Sequence, residues 1–234
     1  MPPILTGLIN DLDTSVLLLS GFHDGQNLQA AFIPDQVDVG QWRGWKGDAF
    51  GITLVANASP QGNYSVIRFA NGNLDQLNTN VCLSSTNFTV MIAAKRTGMP
   101  TRCPYMGLYS MVYNFAKCGV TLLAFTDNNY DHNFNGWGTY NGTEPCKALS
   151  AMDLNVPVVV TMALDNTTNG TFYTNASATG TFTSSKSQGY LGIGGLECAQ
   201  GFFIGDLYEV LVYNRTLSDS EVAQNANYLT SKWF

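Results

Sequence analysis

The stretch "VPVVVTMAL", residues 156–164, is apolar at nearly every position, and it sets the most restrictive condition on the fold. A β-strand sends successive side chains to opposite faces, so an apolar run without alternation needs cover on both. The rest of the chain follows the same grammar. Short runs rich in β-branched and aromatic residues recur between Gly, Asn, Asp and Pro, and helical periodicity is almost absent until the end. Strands are expected around residues 15–20, 50–56, 64–69, 88–94, 106–115, 120–125, 156–164, 170–173, 190–193 and 202–213. In "FTVMIAAK" the alternate residues Phe88, Val90, Ile92 and Ala94 share one face. Together these patterns imply two stacked sheets.

The end of the chain changes period. In "GDLYEVLVYNR" strict alternation puts Leu207, Glu209, Leu211 and Tyr213 on one face and Tyr208, Val210 and Val212 on the other, and Asn214 breaks the run. "LSDSEV" then supplies a capping box, with Ser218 accepting from a first-turn amide while Glu221 reaches back to it. Val222, Ala226, Leu229 and Trp233 recur at helical spacing and form one apolar stripe. A single helix of this length is not stable alone, so it must lie against the sheets. Asp206, just after Gly205, is expected to accept backbone N–H groups, and Glu209 to pair with a neighbouring base or face solvent. Both are read as structural. Without repeats, charge runs or a Pro/Ser linker, residues 1–234 are expected to form one domain.

Charge narrows the function classes. With 17 acidic against 11 basic residues, net charge −6 and no Lys/Arg stripe, the chain is not expected to bind nucleic acid. The apolar run 16–19 is far too short to span a bilayer, and "MPPILTG" lacks the charged and apolar regions of a signal peptide, so no membrane insertion is expected. Sequons at Asn57, Asn63, Asn87, Asn141, Asn166, Asn169, Asn175 and Asn214 arise in part from a composition rich in Asn, Ser and Thr, and they matter only to a chain that meets a glycosylation machinery. Cys82, Cys103, Cys118, Cys146 and Cys198 include no C-x-x-C pair, which argues against a metal cluster. Two readings of them stay open: a Cys103/Cys118 bridge across a hairpin, or buried reduced thiols.

The residues from about 86 onward resemble the laminin-G-like domains of the concanavalin A-like lectin/glucanase superfamily. The resemblance rests on "GDLYEVLVYNRTLSDSEVAQNANYLTSKW", on the "FTVMIAAKR" strand, on the "LDNTTNGTFYTNAS" hairpin and on "YLGIGG". Asn175-Ala176 stands where the family's hairpin usually has Gly, and Ala93 where its strand often has Trp. The resemblance implies an all-β fold, a two-sheet antiparallel jelly-roll sandwich with one short C-terminal α-helix. It implies no single function, because this architecture hosts lectins, hydrolases, adhesion modules and capsid parts.

A function has to be argued from a site. Glucanases of the superfamily place Glu and Asp at alternate positions of one strand, so that nucleophile and acid/base share a face. Here Glu144, Glu197 and Glu209 have no such partners, Glu221 has only Asp219 within the expected helix, and Asp11/Asp13 is the one other i, i+2 acidic pair. His23 and His132 are the sole histidines, and no G-x-S-x-G elbow exists. The chain is therefore not expected to be an enzyme. The richest stretch is "DNNYDHNFNGWGTYNG", residues 127–142. Asp127, Asn129 and Asp131 offer oxygen ligands at every second position, which suits calcium, although His132 and Gly138 stand where an EF-hand needs Gly and Glu. Tyr130, His132, Trp137 and Tyr140 would line a sugar platform there; a locally packed hairpin loop is the competing reading. In "GQWRGWKGD", Trp42 and Trp45 form a recognition patch or cover a sandwich edge. The expectation is a non-catalytic recognition or assembly module that meets protein neighbours or a surface glycan, on a virion or other particle or on an extracellular surface. Two alternatives remain: a carbohydrate-active enzyme of the same superfamily, and a secreted lectin-like glycoprotein.

Overall fold

A computed structural model describes residues 28–32, 52–55, 66–69, 77–83, 87–98, 105–113, 117–125, 136–140, 147–151, 153–165, 169–183, 189–193, 203–213 and 215–234. In chain order the strands are β1 (Leu28–Phe32), β2 (Ile52–Val55), β3 (Val66–Phe69), β4 (Leu77–Leu83), β5 (Phe88–Arg96), β6 (Tyr105–Tyr113) and β7 (Lys117–Phe125). They continue with β8 (Gly136–Tyr140), β9 (Lys147–Ala151), β10 (Pro157–Leu164), β11 (Asn169–Thr174), β12 (Ser177–Thr183), β13 (Gly189–Ile193) and β14 (Gly205–Tyr213), and one helix follows, α1 (Asp219–Trp233). The expected strand at 15–20 lies outside the described residues, while β1, β4, β8, β9 and β12 go beyond the expected set.

The strands form two antiparallel sheets. An eight-stranded sheet runs β12-β11-β10-β5-β14-β3-β2, with β1 also paired to β14, and a six-stranded sheet runs β4-β13-β6-β7-β8-β9. The neighbour of β5 on the side away from β10 is thus β14, a strand much later in the sequence. One side of β14 pairs along its length with β5, and its other side is shared between β3, at residues 205–207, and β1, at residues 210–213.

The doubly apolar strands are buried as their composition requires. Every described residue of β10 but Pro157 is buried, and of β5 only Lys95 is partly open. Two different layers supply the cover. Met91, Ala93, Val159 and Ala163 belong to one cluster with Val222, Ala226, Leu229 and Trp233, so α1 lies across the outer face. Phe88, Val90, Ile92, Val160 and Met162, of opposite parity, are just as buried on the inner face.

The helix begins as its sequence dictates. Ser218 accepts from the Glu221 amide while the Glu221 carboxylate accepts from the Ser218 amide at 2.8 Å. Arg215 adds a two-pronged pair to Glu221 at 2.6 and 2.9 Å. The link from β14 is pinned too: the Thr89 hydroxyl donates to the Arg215 carbonyl at 3.0 Å and accepts from the Leu217 amide at 2.9 Å. The stripe read from the sequence is entirely buried, and it also includes Asn225.

Asn175 explains how the β11–β12 hairpin dispenses with Gly. Its φ is 53°, a left-handed conformation that Asn tolerates better than other side chains. Its amide donates to the Val159 carbonyl at 2.6 Å and its Oδ1 accepts from the Val159 amide at 3.1 Å, which ties the turn to β10.

Strict alternation along β14 fails at one point. Leu207 pairs with Ala94 and Glu209 with Ala93, so Tyr208 is an extra residue in a β-bulge. The bulge brings Tyr208 and Glu209 to the same side. The Tyr208 ring lies 5.8 Å from that of Trp233 and 5.4 Å from that of Phe234, and Glu209 also bonds Trp233. Without the extra residue, Tyr208 would share a face with Val210 and Val212.

Candidate functional site

Most of the residues nominated from sequence, namely Trp42, Trp45, Asp127, Asn129, Tyr130, Asp131 and His132, lie outside the described residues. Trp137 and Tyr140 do not sit in a loop as expected; they belong to β8, where Trp137 pairs with Ala124 of β7 and Tyr140 with Thr121. The hairpin expected in this region is β7–β8, and the segment between its strands is residues 126–135. β8 is an inner strand, followed by β9 at the sheet edge.

The described carboxylates give the clearest chemistry. Asp206, 0% exposed, takes Arg68 Nε on Oδ1 at 2.6 Å, Arg68 Nη2 on Oδ2 at 3.0 Å and Lys95 Nζ on Oδ2 at 3.1 Å. The three residues occupy directly paired positions of β3, β14 and β5. The expectation that Asp206 binds backbone N–H groups is corrected: its partners are side chains from the two adjacent strands. Asp206 in turn holds the Arg68 guanidinium above its ordinary pKa, chiefly through their hydrogen bond.

Glu209, 2% exposed, meets the end of the helix. Its Oε2 accepts from Lys232 Nζ at 2.8 Å and from the Trp233 indole N–H at 2.7 Å. Burial pushes the Glu209 carboxyl up, opposed by Lys232 and then Trp233, while for Lys232 the pull of Glu209 and Tyr228 outweighs burial and leaves its pKa raised. Lys232 also lies over the Trp233 ring, 4.9 Å from its centroid. Glu209 is thus a bond between strand and helix.

The others are similarly committed. Glu221 closes the capping box, and its bonds to Arg215, then to the Ser218 amide and hydroxyl, hold its carboxyl down at about 2. Asp219 accepts from the Tyr173 hydroxyl at 2.7 Å, and burial followed by that bond pushes the phenol up to about 12. Asp165 Oδ1 accepts from the amide of Asn169, the first residue of β11, at 3.0 Å. Among the described residues no group of three His, Cys, Asp or Glu could hold a metal ion, and no helix is long and apolar enough to cross a membrane. Sequence reasoning passed over Arg68 and Lys95. A lone Arg inside the apolar run "VIRF" is the signal that pointed to a buried counter-ion.

A laminin G family profile, described as the concanavalin A-like lectin/glucanases superfamily, matches residues 61–223. The chain belongs to this superfamily. The match begins upstream of the motifs that carry the resemblance and takes in β3 and β4. Among solved structures, a SAP-like pentraxin from Limulus polyphemus is similar over 69% of this chain and 81% of its own, with 16% identity and a TM-score of 0.55. Domain 4 of AbnA, an extracellular arabinanase from Geobacillus stearothermophilus, in complex with arabinotriose, is similar over 77% and 84%, with 15% identity and a TM-score of 0.52. A Trypanosoma rangeli sialidase is similar over 71% of this chain, with 14% identity and a TM-score of 0.55, and there the chain spans 27% of the length of the enzyme. These likenesses establish a lectin-like sandwich fold. No curated protein sequence matches the chain.

Proposed function

We propose that this chain is a non-catalytic recognition module of the concanavalin A-like superfamily that binds a glycan or a protein surface, as a component of a particle or extracellular surface. The observation that carries the reading is the state of the described carboxylates on β14 and α1. Asp206 and Glu209, the two carboxylates of β14, each hold cationic side chains, Asp206 between strands and Glu209 between strand and helix. A retaining or inverting glycosidase needs a pair of carboxyls open to substrate, one of them free to accept or donate a proton. Acids locked in this way serve the fold.

A sugar surface is supported by the fold and by the neighbour described in complex with arabinotriose. The ligand would meet the β7–β8 hairpin, where Tyr130 and His132 lie between the strands and Trp137 and Tyr140 within β8, together with Trp42 and Trp45. Aromatic rings there would stack on sugar faces, and Asp127, Asn129 and Asp131 would hold calcium if the loop takes a metal. Incubation with a panel of oligosaccharides, read by calorimetry and by product analysis, tests the reading. Binding without turnover is expected, weakened by Trp137→Ala; turnover abolished by a single carboxylate substitution would overturn it in favour of a carbohydrate-active enzyme.

A further inference from the structure

Among the described residues, the outer face of the eight-stranded sheet carries one unbalanced group of charges. Arg68 and Lys95 share the single carboxylate of Asp206. That leaves a local surplus of positive charge in a chain of net charge −6. Lys232, which also bonds a carboxylate of β14, is already balanced by Glu209. Both oxygens of Asp206 are occupied, and the residue is wholly buried, so it acts as an anchor that fixes the two cationic heads.

Those heads keep donors in reserve. Arg68 uses Nε and Nη2 on Asp206, and Lys95 uses one contact, leaving Arg68 Nη1 and the remaining ammonium hydrogens without a partner among the described residues. Both side chains reach solvent, 39% exposed for Arg68 and 21% for Lys95. Tyr208, the bulge residue that follows Leu207, is fully buried with a hydroxyl that has no hydrogen-bond partner among the described residues. A guanidinium and an ammonium held at fixed spacing, each with spare N–H groups, match the two or three acceptor oxygens of an oxyanion. Held in place beforehand, they lose little side-chain entropy on binding.

We propose that Arg68 and Lys95 form an oxyanion site, on the outer face beside the C-terminal end of α1, which takes the carboxylate or sulfate of an acidic sugar. The sugar identity rests on the recognition reading above; the oxyanion chemistry does not. The site lies apart from the β7–β8 hairpin, which belongs to the other sheet.

The experiment is an amide NMR titration of the full chain with D-glucuronate, with acetate, inorganic sulfate and D-glucose as comparisons, at an ionic strength held constant with sodium chloride. Glucuronate and sulfate should move the amides of Ile67, Ala94 and Leu207, glucuronate should act at lower concentration than acetate, and glucose should leave these amides still. Lys95→Gln, which leaves the two-pronged Arg68–Asp206 pair intact, should weaken glucuronate by about tenfold or more, the worth of one hydrogen bond to a charged group. Still amides with every anion would overturn the oxyanion site, and equal action of acetate and glucuronate would overturn its sugar identity. Undiminished binding in Lys95→Gln would overturn the assignment of residues. Shifts from glucose confined to the β7–β8 hairpin, with no anion effect at Ile67, Ala94 or Leu207, would refute this site while upholding the recognition reading.

Discussion

Trp233→Ala puts the attachment of the helix to direct measurement. The indole is fully buried, its ring tilted 34° against Tyr208 with centroids 5.8 Å apart, and its N–H donates to Glu209 at 2.7 Å. Cutting a buried aromatic side chain to Ala costs about 3–5 kcal/mol, from lost transfer free energy and the cavity left behind. Glu209 would then retain Lys232 as its partner, and a buried acceptor stripped of one hydrogen bond adds about 1–3 kcal/mol. The two costs overlap, because a loosened helix end admits water to Glu209, so a loss of about 4–6 kcal/mol is expected. Trp233→Phe separates the two effects: it keeps most of the packing, loses the donor and should cost about 1–3 kcal/mol. Urea unfolding followed by circular dichroism reads both, with the slope checked for constancy across variants. A Trp233→Ala protein within about 1 kcal/mol of the parent would refute the docking described here, as this lies below any buried aromatic truncation. A Phe variant no more stable than the Ala variant would show that the hydrogen bond, and not the ring, holds the helix.

Three further outcomes are expected. Gly205→Ala should cost about 1–3 kcal/mol by overpacking, since a Cβ there would come within 2.2 Å of the Lys95 carbonyl oxygen and 2.6 Å of the Phe203 ring; a melting temperature equal to the parent's would contradict this geometry. Because Arg215 and Ser218 hold Glu221 at about 2 against an ordinary 4.5, its stabilisation is fully present above pH 4.5 and is lost as pH falls through about 2. The melting-temperature gap between the parent and Glu221→Gln should therefore close over that window, and a gap independent of pH would count against the pairing. Any rise in melting temperature produced by calcium should vanish in Asp127→Asn and in Asp131→Asn; a rise that survives both places the ion elsewhere.

The elements legible in the sequence are those whose signals are local. Ser218 and Glu221 lie three residues apart, so the capping box could be read directly, and Val222, Ala226, Leu229 and Trp233 declared the buried side of the helix by period alone. β5 and β10 were legible because both their faces are covered. What was missed depends on partners distant in sequence. Nothing in "GDLYEV" marks Tyr208 as the extra residue of a bulge, since the bulge exists only against β5. Arg68 and Asp206 are 138 positions apart, so no window contains both. β12, "SATGTFT", buries only Phe182 and leaves small polar residues outward, a pattern shared with loops. Of the recognition residues, Trp137 and Tyr140 lie in an Asn- and Gly-rich stretch that reads as a loop, although Gly136 and Gly138 pair with β7 within the sheet.

The place of β14 has a consequence for how the chain reaches its native state. Residues 205–213 fill the gap between β5 on one side and β3 with β1 on the other, so these three earlier strands cannot join one sheet until residues 205–213 have been synthesised. Until then β5 pairs only with β10, and its opposite edge stands open along with that of β3. The helix that shields Met91 and Val159 from water comes later still. Closure over such separations is slow, because loop entropy is spent before the contacts that reward it can form. A nascent chain of this protein therefore passes through a long interval with two unsatisfied edges and a bare apolar face, the state most exposed to mispairing with other chains and to capture by chaperones.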